Sequence, residues 1–287
     1  MSENYGLEQI HKVNLEMLAE IDRICEKHQL TYSLDAGTLL GAVRHQGFIP
    51  WDDDADVIMP REDFDIFCRI AGQELPEQME LVTPEDLAER NAFYDANTRI
   101  IYRHSNRHRP DAESDFYGGT TNRAWIDIFV MDNLPDNAFR AGLHTKRLQV
   151  IYTLMMAYRY EIHYAQYPAL LKVLAWTGSK FGKLFPLKTL LKKRERIIHK
   201  VNTEETKQIF VSNYAPDWYW YHLDKSILTP TQKTAFENTK LRIFAHYDEI
   251  LTRLYGDYMQ LPPEEKRFGA HETVAFEVTE EPAGTNL

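Results

Sequence analysis

The 287-residue chain carries 33 Lys and Arg against 43 Asp and Glu, a net charge of −10, with 44% hydrophobic and 12% aromatic residues. This balance excludes a nucleic-acid surface built on basic faces that displace counterions, and the apolar content excludes global disorder. Two cysteines, the lack of a basic-then-apolar leader, and the absence of any run near the roughly 20 apolar residues of a membrane span predict a soluble cytoplasmic protein with reduced thiols.

The first predicted element is an amphipathic helix over residues 7–29, with Leu7, Ile10, Val13, Met17, Leu18, Ile21 and Cys25 on one face. A short strand, Thr31 to Asp35, follows. Gly37-Thr38 then turns into a helical run through Leu39, Leu40, Ala42 and Val43. Strand, glycine turn and helix N-terminus point backbone N–H groups at a place where an anion can sit.

Residues 52–56 pack four carboxylates into five positions, between Phe48-Ile49-Pro50-Trp51 and Val57-Ile58-Met59. The run from Asp54 to Met59 reads as a strand closed by Pro60. If the extended backbone reaches back to Asp52, then Asp52, Asp54 and Asp56 share one face. Three aligned carboxylates repel one another unless a cation sits among them, and hard oxygen ligands at this density suit Mg²⁺ or Mn²⁺. The apolar flanks distinguish the run from a solvated acidic turn.

The segments Gly37-Thr38-Leu39-Leu40-Gly41-Ala42-Val43-Arg44-His45 and Gly47-Phe48-Ile49-Pro50-Trp51-Asp52-Asp53-Asp54-Ala55-Asp56 resemble the signature of the LicD family of phosphocholine transferases. The resemblance implies an α+β fold with a nucleotidyltransferase-like, polymerase-β-like mixed sheet and a helical annex. It also implies a third carboxylate on a later strand, and Trp125-Ile126-Asp127-Ile128-Phe129-Val130 supplies Asp127. A lone Asp in so apolar a strand needs partners or a metal.

Further along, residues 61–71 read as a helix, and 79–82, 98–102 and 125–130 as strands. The polar loop of residues 103–120 holds His104 and His108, which read as solvated histidines rather than zinc ligands. Residues 134–161 and 165–201 are predicted helical, the second stretch interrupted at Gly178, Gly182 and Pro186. Residues 172–200 hold nine Lys and Arg against the single acid Glu195, together with Trp176, Phe181 and Phe185. Such a segment can dock on an anionic membrane or hold an anionic acceptor.

The run from Asn213 to His222 is dense in aromatics, and Trp218 and Trp220 are candidates for caging a quaternary ammonium by cation–π attraction. A strand over 239–244 and a helix over 247–258 follow. Tyr255-Gly256-Asp257, Leu261-Pro262-Pro263, Arg267 and His271 also resemble the close of LicD proteins. The expected organisation is a nucleotidyltransferase-like catalytic core over 1–135, a mainly helical region over 136–272 completing the site, and a disordered tail over 273–287.

Together, residues and resemblance imply metal-dependent transfer of phosphocholine, or a related alcohol phosphate, from a CDP-linked donor such as CDP-choline to a cell-surface glycan precursor. In that expectation Asp54, Asp56 and Asp127 are catalytic and, with Asp52, hold Mg²⁺ or Mn²⁺. Gly37, Thr38, Arg44 and His45 would bind the phosphates, with Arg267 and His271 as weaker candidates. The glycan acceptor would be lipid-linked and the membrane contact peripheral, through 172–200. Nucleotidyl transfer with pyrophosphate release, or a noncatalytic glycan-assembly scaffold, stands as the alternative.

Overall fold

The computed structural model describes residues 6–107, 111–162, 164, 169–268 and 275–279. It is an α+β structure built on a seven-stranded mixed sheet. The central strand, β6 (Ala124–Leu134), runs parallel to β2 (Asp56–Pro60) on one side. On the other it pairs antiparallel first with β4 (Thr98–Tyr102) and then with β7 (Gln208–Val211). The strands β1 (Ser33–Leu34), β3 (Met79–Val82) and β8 (His222–Asp224) extend the sheet from β2, β4 and β7.

Helix α1 (Leu7–His28) forms where the apolar spacing predicts. Ile10, Val13, Met17, Leu18, Ile21, Ile24 and Cys25 are buried, and Gln29 in a left-handed conformation caps the end. Cys25 and Cys68 are both unbonded. The core joins α1 to the buried face of the sheet through Val57, Ile126, Ile128, Val130 and Ile100. Helices α2 (Ala36–Arg44) and α3 (Arg61–Glu74) flank β2 in sequence and pack on it.

Strand β2 begins at Asp56, two residues later than the sequence predicts. Asp52 to Ala55 lie outside any strand, so Asp52, Asp54 and Asp56 do not share a strand face. The physical reason is a pair of competing anchors. The Asp52 amide donates to the Ile49 carbonyl (2.9 Å), and the fully buried Arg107 donates to the Asp53 carbonyl (2.8 Å) with its side chain 4.3 Å over the Trp125 ring.

After the short elements α4 (Pro84–Glu89), β5 (Ser105–Asn106) and α5 (Asp111–Phe116), the annex comprises α6 (Ala138–Met155), α7 (Ala169–Gly182) and α8 (Leu187–Asn202). Gly178 lies inside α7 instead of interrupting it, because its missing Cβ leaves room for Thr153 of α6. The strand predicted over 239–244 is β10 (Thr239–Phe244), in a hairpin with β9 (Thr231–Phe236), which sequence reasoning missed. The hairpin's Glu237 accepts from the Phe48 amide at 2.9 Å and donates its own amide to Gln46 (2.8 Å), pinning the loop ahead of the acids.

Helix α9 (Tyr247–Tyr255) ends three residues short of its expected limit. Within the stretch expected to be disordered, Phe276 is buried in the core. Glu277–Val278 pair there with Ser105–Asn106. Among the described residues no helix is long and apolar enough to cross a membrane.

Candidate active site

Three strands bring three charged side chains abreast. In the sheet register Asp127 of β6 lies beside Asp56 of β2 on one side and beside Arg99 of β4 on the other. Register partners project to the same face of a sheet, so the two carboxylates and the guanidinium share one surface.

Asp127 is held from several directions. One oxygen accepts from Asn97 Nδ2 (3.1 Å) and the other from Trp125 Nε1 (3.0 Å), and Arg99 Nε forms an ion pair with the first at 2.9 Å. Arg99 also pairs with Asp95 (3.0 Å) and lies over the Tyr94 and Trp125 rings. Burial raises the Asp127 carboxyl, and the Arg99 charge opposes that shift.

Asp56 is the contrasting case. Its backbone amide donates to Thr38 Oγ1 (2.8 Å), but its carboxylate has no hydrogen-bond or ion-pair partner among the described residues. Burial pushes it well above the usual carboxylate range, and the surrounding Asp54, Asp127, Asp35 and Asp52 push it further. Asp52 is likewise raised by burial, against a hydrogen bond shared with Asp54.

Gly37 matters here for close approach, since a Cβ on it would stand 2.7 Å from Asp52 Oδ2. The α2 N-terminus therefore already faces a carboxylate. Thr38 is buried with its hydroxyl engaged by Asp56, so Gly37 and Thr38 position the acids instead of lining an open anion cradle.

Asp35, the residue before α2 and two before Gly37, is a member of the site that sequence reasoning missed. It is buried, accepts from Tyr214 Oη (2.6 Å), and burial lifts it to about 6 against that hydrogen bond.

Asp56 lies in a cleft of about 710 Å³ whose other lining residues include Tyr94, Tyr117, Phe129, Tyr152, Tyr214, Trp218 and Tyr255. Asp95, Glu113 and Glu161 add negative charge, and Arg159 is the basic residue among the described lining. Arg159 donates to Tyr152 Oη (2.7 Å). Sequence reasoning missed Arg99, Arg159 and most of these rings, because they come from five separate segments.

Trp218 lines the cleft, whereas Trp220 does not; it stacks on Trp218 at 5.7 Å and is 58% exposed. Of the two tryptophans expected to cage a headgroup, the structure thus places one in the cleft and the other stacked behind it.

Arg44, His45 and Arg267 form a separate group beside the cleft. Arg44 donates to the Tyr258 carbonyl (3.0 Å) and to His45 (3.0 Å), His45 meets Trp51 edge-on, and Arg267 lies 5.5 Å over Trp51. Tyr255 is within electrostatic reach of both this group, through Arg44, and the acids Asp35, Asp56, Asp52 and Asp54. His108 and His271 lie outside the described residues.

Among the described residues no three His, Cys, Asp or Glu side chains are already gathered so as to hold a metal ion. What the residues present fit is an ion that keeps few protein ligands. Mg²⁺ is commonly bound by one or two carboxylates while substrate phosphates and waters complete its shell, and the unpartnered Asp56 among four other carboxylates has the charge for it.

Residues 29–147 match the family described as LicD/FKTN/FKRP, nucleotidyltransferase domain. Over 284 residues the chain is 29% identical to the lipopolysaccharide cholinephosphotransferase LicD of Haemophilus influenzae, covering 92% of this chain and 95% of that protein. Shorter stretches match uncharacterized proteins of Rickettsia typhi (41% over 58 residues, 20% of this chain and 19% of the relative) and Rickettsia prowazekii (44% over 48 residues, 17% and 18%). The signature segments from Gly37 to Asp56 and the acid on β6 all fall inside the region, residues 29–147, that matches the LicD-family nucleotidyltransferase domain.

Proposed function

We propose that the chain is a LicD-type phosphotransferase that moves phosphocholine, or a related alcohol phosphate, from a CDP-linked donor to a glycan of the lipopolysaccharide kind. The observation that carries this reading is the Asp56–Asp127 register pair at an aromatic-walled cleft, in a chain similar along most of its length to a lipopolysaccharide cholinephosphotransferase. The nucleotidyltransferase-like fold is part of the same reading, supported by the description of the matched domain.

In this scheme an acceptor hydroxyl oxygen attacks the phosphorus that bears the alcohol. The bond from that phosphorus to the bridging oxygen breaks, CMP leaves with the electron pair, and the hydroxyl proton passes to a carboxylate at the cleft floor. Asp54 and Asp56, with Asp52 and Asp127 around them, would hold Mg²⁺ or Mn²⁺. A bound ion would neutralise charge developing on the leaving phosphate.

Arg99 orients Asp127 and favours its charged form through their 2.9 Å pair, against the effect of burial. Arg159 is the lining residue suited to a phosphoryl oxygen, by its planar fork. The ring-rich wall with Asp95, Glu113 and Glu161 suits a cationic headgroup by cation–π and charge attraction. Arg44, His45 and Arg267, grouped beside Tyr255, are assigned to the nucleotide or acceptor side.

The test is incubation with a panel of CDP-alcohols and Mg²⁺ or Mn²⁺, following CMP release in the presence of a lipopolysaccharide acceptor. CMP release with CDP-choline supports the reading. Pyrophosphate release from labelled CTP, with no CMP from any CDP-alcohol, overturns it in favour of nucleotidyl transfer.

A further inference from the structure

Helix α7 shows large apolar side chains to water. Among its described residues, three small ones meet the rest of the molecule. Ala175 is buried, a Cβ on Gly178 would stand 2.3 Å from Thr153 Cγ2, and one on Gly182 would stand 2.0 Å from the Leu154 carbonyl. A surface helix normally buries its large apolar side chains and exposes its polar ones.

Here large side chains are exposed. Trp176 is 52%, Phe181 60% and Leu184, just past the helix, 71% exposed, and Val173 and Phe185 are exposed beside them.

The basic residues of the same stretch form no ion pair among the described residues. Residues 169–186 contain no acid in a chain of net charge −10, while Lys172, Lys180 and Lys183 are exposed. None of the three pairs with a carboxylate among the described residues. Two of them lie over rings, Lys180 at 5.4 Å from Trp176 and Lys183 at 4.6 Å from Tyr158.

Helix α8 differs. Its Leu187, Leu190, Leu191, Ile198 and Val201 are buried, and Lys188 pairs with Glu89. The basic face of α8 is thus an ordinary solvated face, and the anomaly is confined to α7 and the turn after it.

We propose that the outer face of α7, residues 173–185, is a docking surface for an anionic phospholipid bilayer, with Trp176, Phe181 and Leu184 entering the headgroup boundary and Lys172, Lys180 and Lys183 meeting lipid phosphates. Exposed aromatic and leucine side chains ringed by unpaired lysines are what an in-plane interfacial helix presents.

The placement also serves the cleft. Helix α7 packs on the segment Leu154–Tyr158, whose neighbours Tyr152 and Arg159 line the cleft. A lipid-borne acceptor would thus be held beside the element that carries cleft residues.

The test is co-sedimentation of the full chain with phosphatidylglycerol vesicles and with phosphatidylcholine vesicles, in low and high salt. Because it needs neither donor nor turnover, its outcome is separate from that of the phosphotransfer reading. The expected result is at least tenfold more protein pelleted by the anionic vesicles in low salt. That binding is lost in the Trp176→Ser/Phe181→Ser/Leu184→Ser variant and reduced at least fivefold in Lys172→Gln/Lys180→Gln/Lys183→Gln. Because all six side chains are exposed, unchanged melting temperatures should verify that both variants fold. Absence of pelleting with anionic vesicles, equal pelleting of the serine variant, or a concentration-dependent dimer that the serine variant dissolves while vesicles remain unbound would each overturn the proposal.

Discussion

Asp56 and Asp127 are partners in the register of two parallel strands, and they differ in one respect that matters for chemistry. Asp127 has two side-chain donors and an ion-pair partner, Arg99, whereas the Asp56 carboxylate has none of these among the described residues and is surrounded by other acids. One carboxylate is oriented by its neighbours, and the other lines the cleft without such a partner among the described residues.

Replacing Asp56 with Asn should therefore separate activity from stability. CMP release should fall at least about a thousandfold, equivalent to about 4 kcal/mol of barrier. The melting temperature without ligand should stay level or rise, because a buried, repelled carboxylate has been removed. A variant that melts lower without losing turnover would contradict this assignment.

The stability of the ligand-free protein should depend on pH through Asp35. Its carboxyl is raised from 3.8 to about 6 chiefly by burial. The folded state thus holds this proton more tightly than the unfolded chain does, and stability falls as pH rises from about 4 through about 6. At about 1.4 kcal/mol for each tenfold change in proton affinity, this one group accounts for about 3 kcal/mol. Asp35→Asn, whose amide oxygen can still accept from Tyr214, should flatten the melting-temperature profile across that window.

Arg99→Ala should be among the most damaging single changes in the sheet. It leaves Asp127 and Asp95 without their shared guanidinium, and breaking a buried pair from one side costs about 3–5 kcal/mol. Urea denaturation should show the loss, and Arg99→Lys should recover only part of it, since an ammonium cannot bridge both carboxylates in the same planar geometry.

Two tryptophans that stack on each other should behave differently in donor titrations. Trp218→Ala, at the cleft, should raise the KM for CDP-choline about tenfold, in line with about 1–2 kcal/mol for a partly desolvated cation–π contact. Trp220→Ala should shift it less than about threefold. Equal effects would place the headgroup outside the cleft.

Gly41→Ala tests how the acidic turn is held. The added Cβ would stand 2.4 Å from the Gly47 carbonyl, a backbone atom that cannot swing away. We expect a loss of about 1–3 kcal/mol, typical of overpacking, read as a lower thermal midpoint. Activity should fall with it, because the loop from Gln46 to Asp54 must move.

The sequence by itself determined the elements whose signal is local. The α1 stripe, the strands at 79–82, 98–102 and 239–244, and the family signature from Gly37 to Asp56 are legible because helix and strand periods and turn chemistry act over a few residues. The acid on β6 was legible for the same reason, as a charge that its apolar neighbours could not explain.

Only the tertiary structure decided that Asp52 and Asp54 leave the strand, since the Arg107 that holds Asp53 lies 54 residues away. It likewise decided that Arg99 is the counterion of Asp127, that Arg159 and seven rings converge on one cleft, and that α7 exposes Trp176 and Phe181. These are consequences of sheet register and of glycine-mediated helix contact. Both are set by contacts between segments far apart in the chain, and no local pattern encodes them.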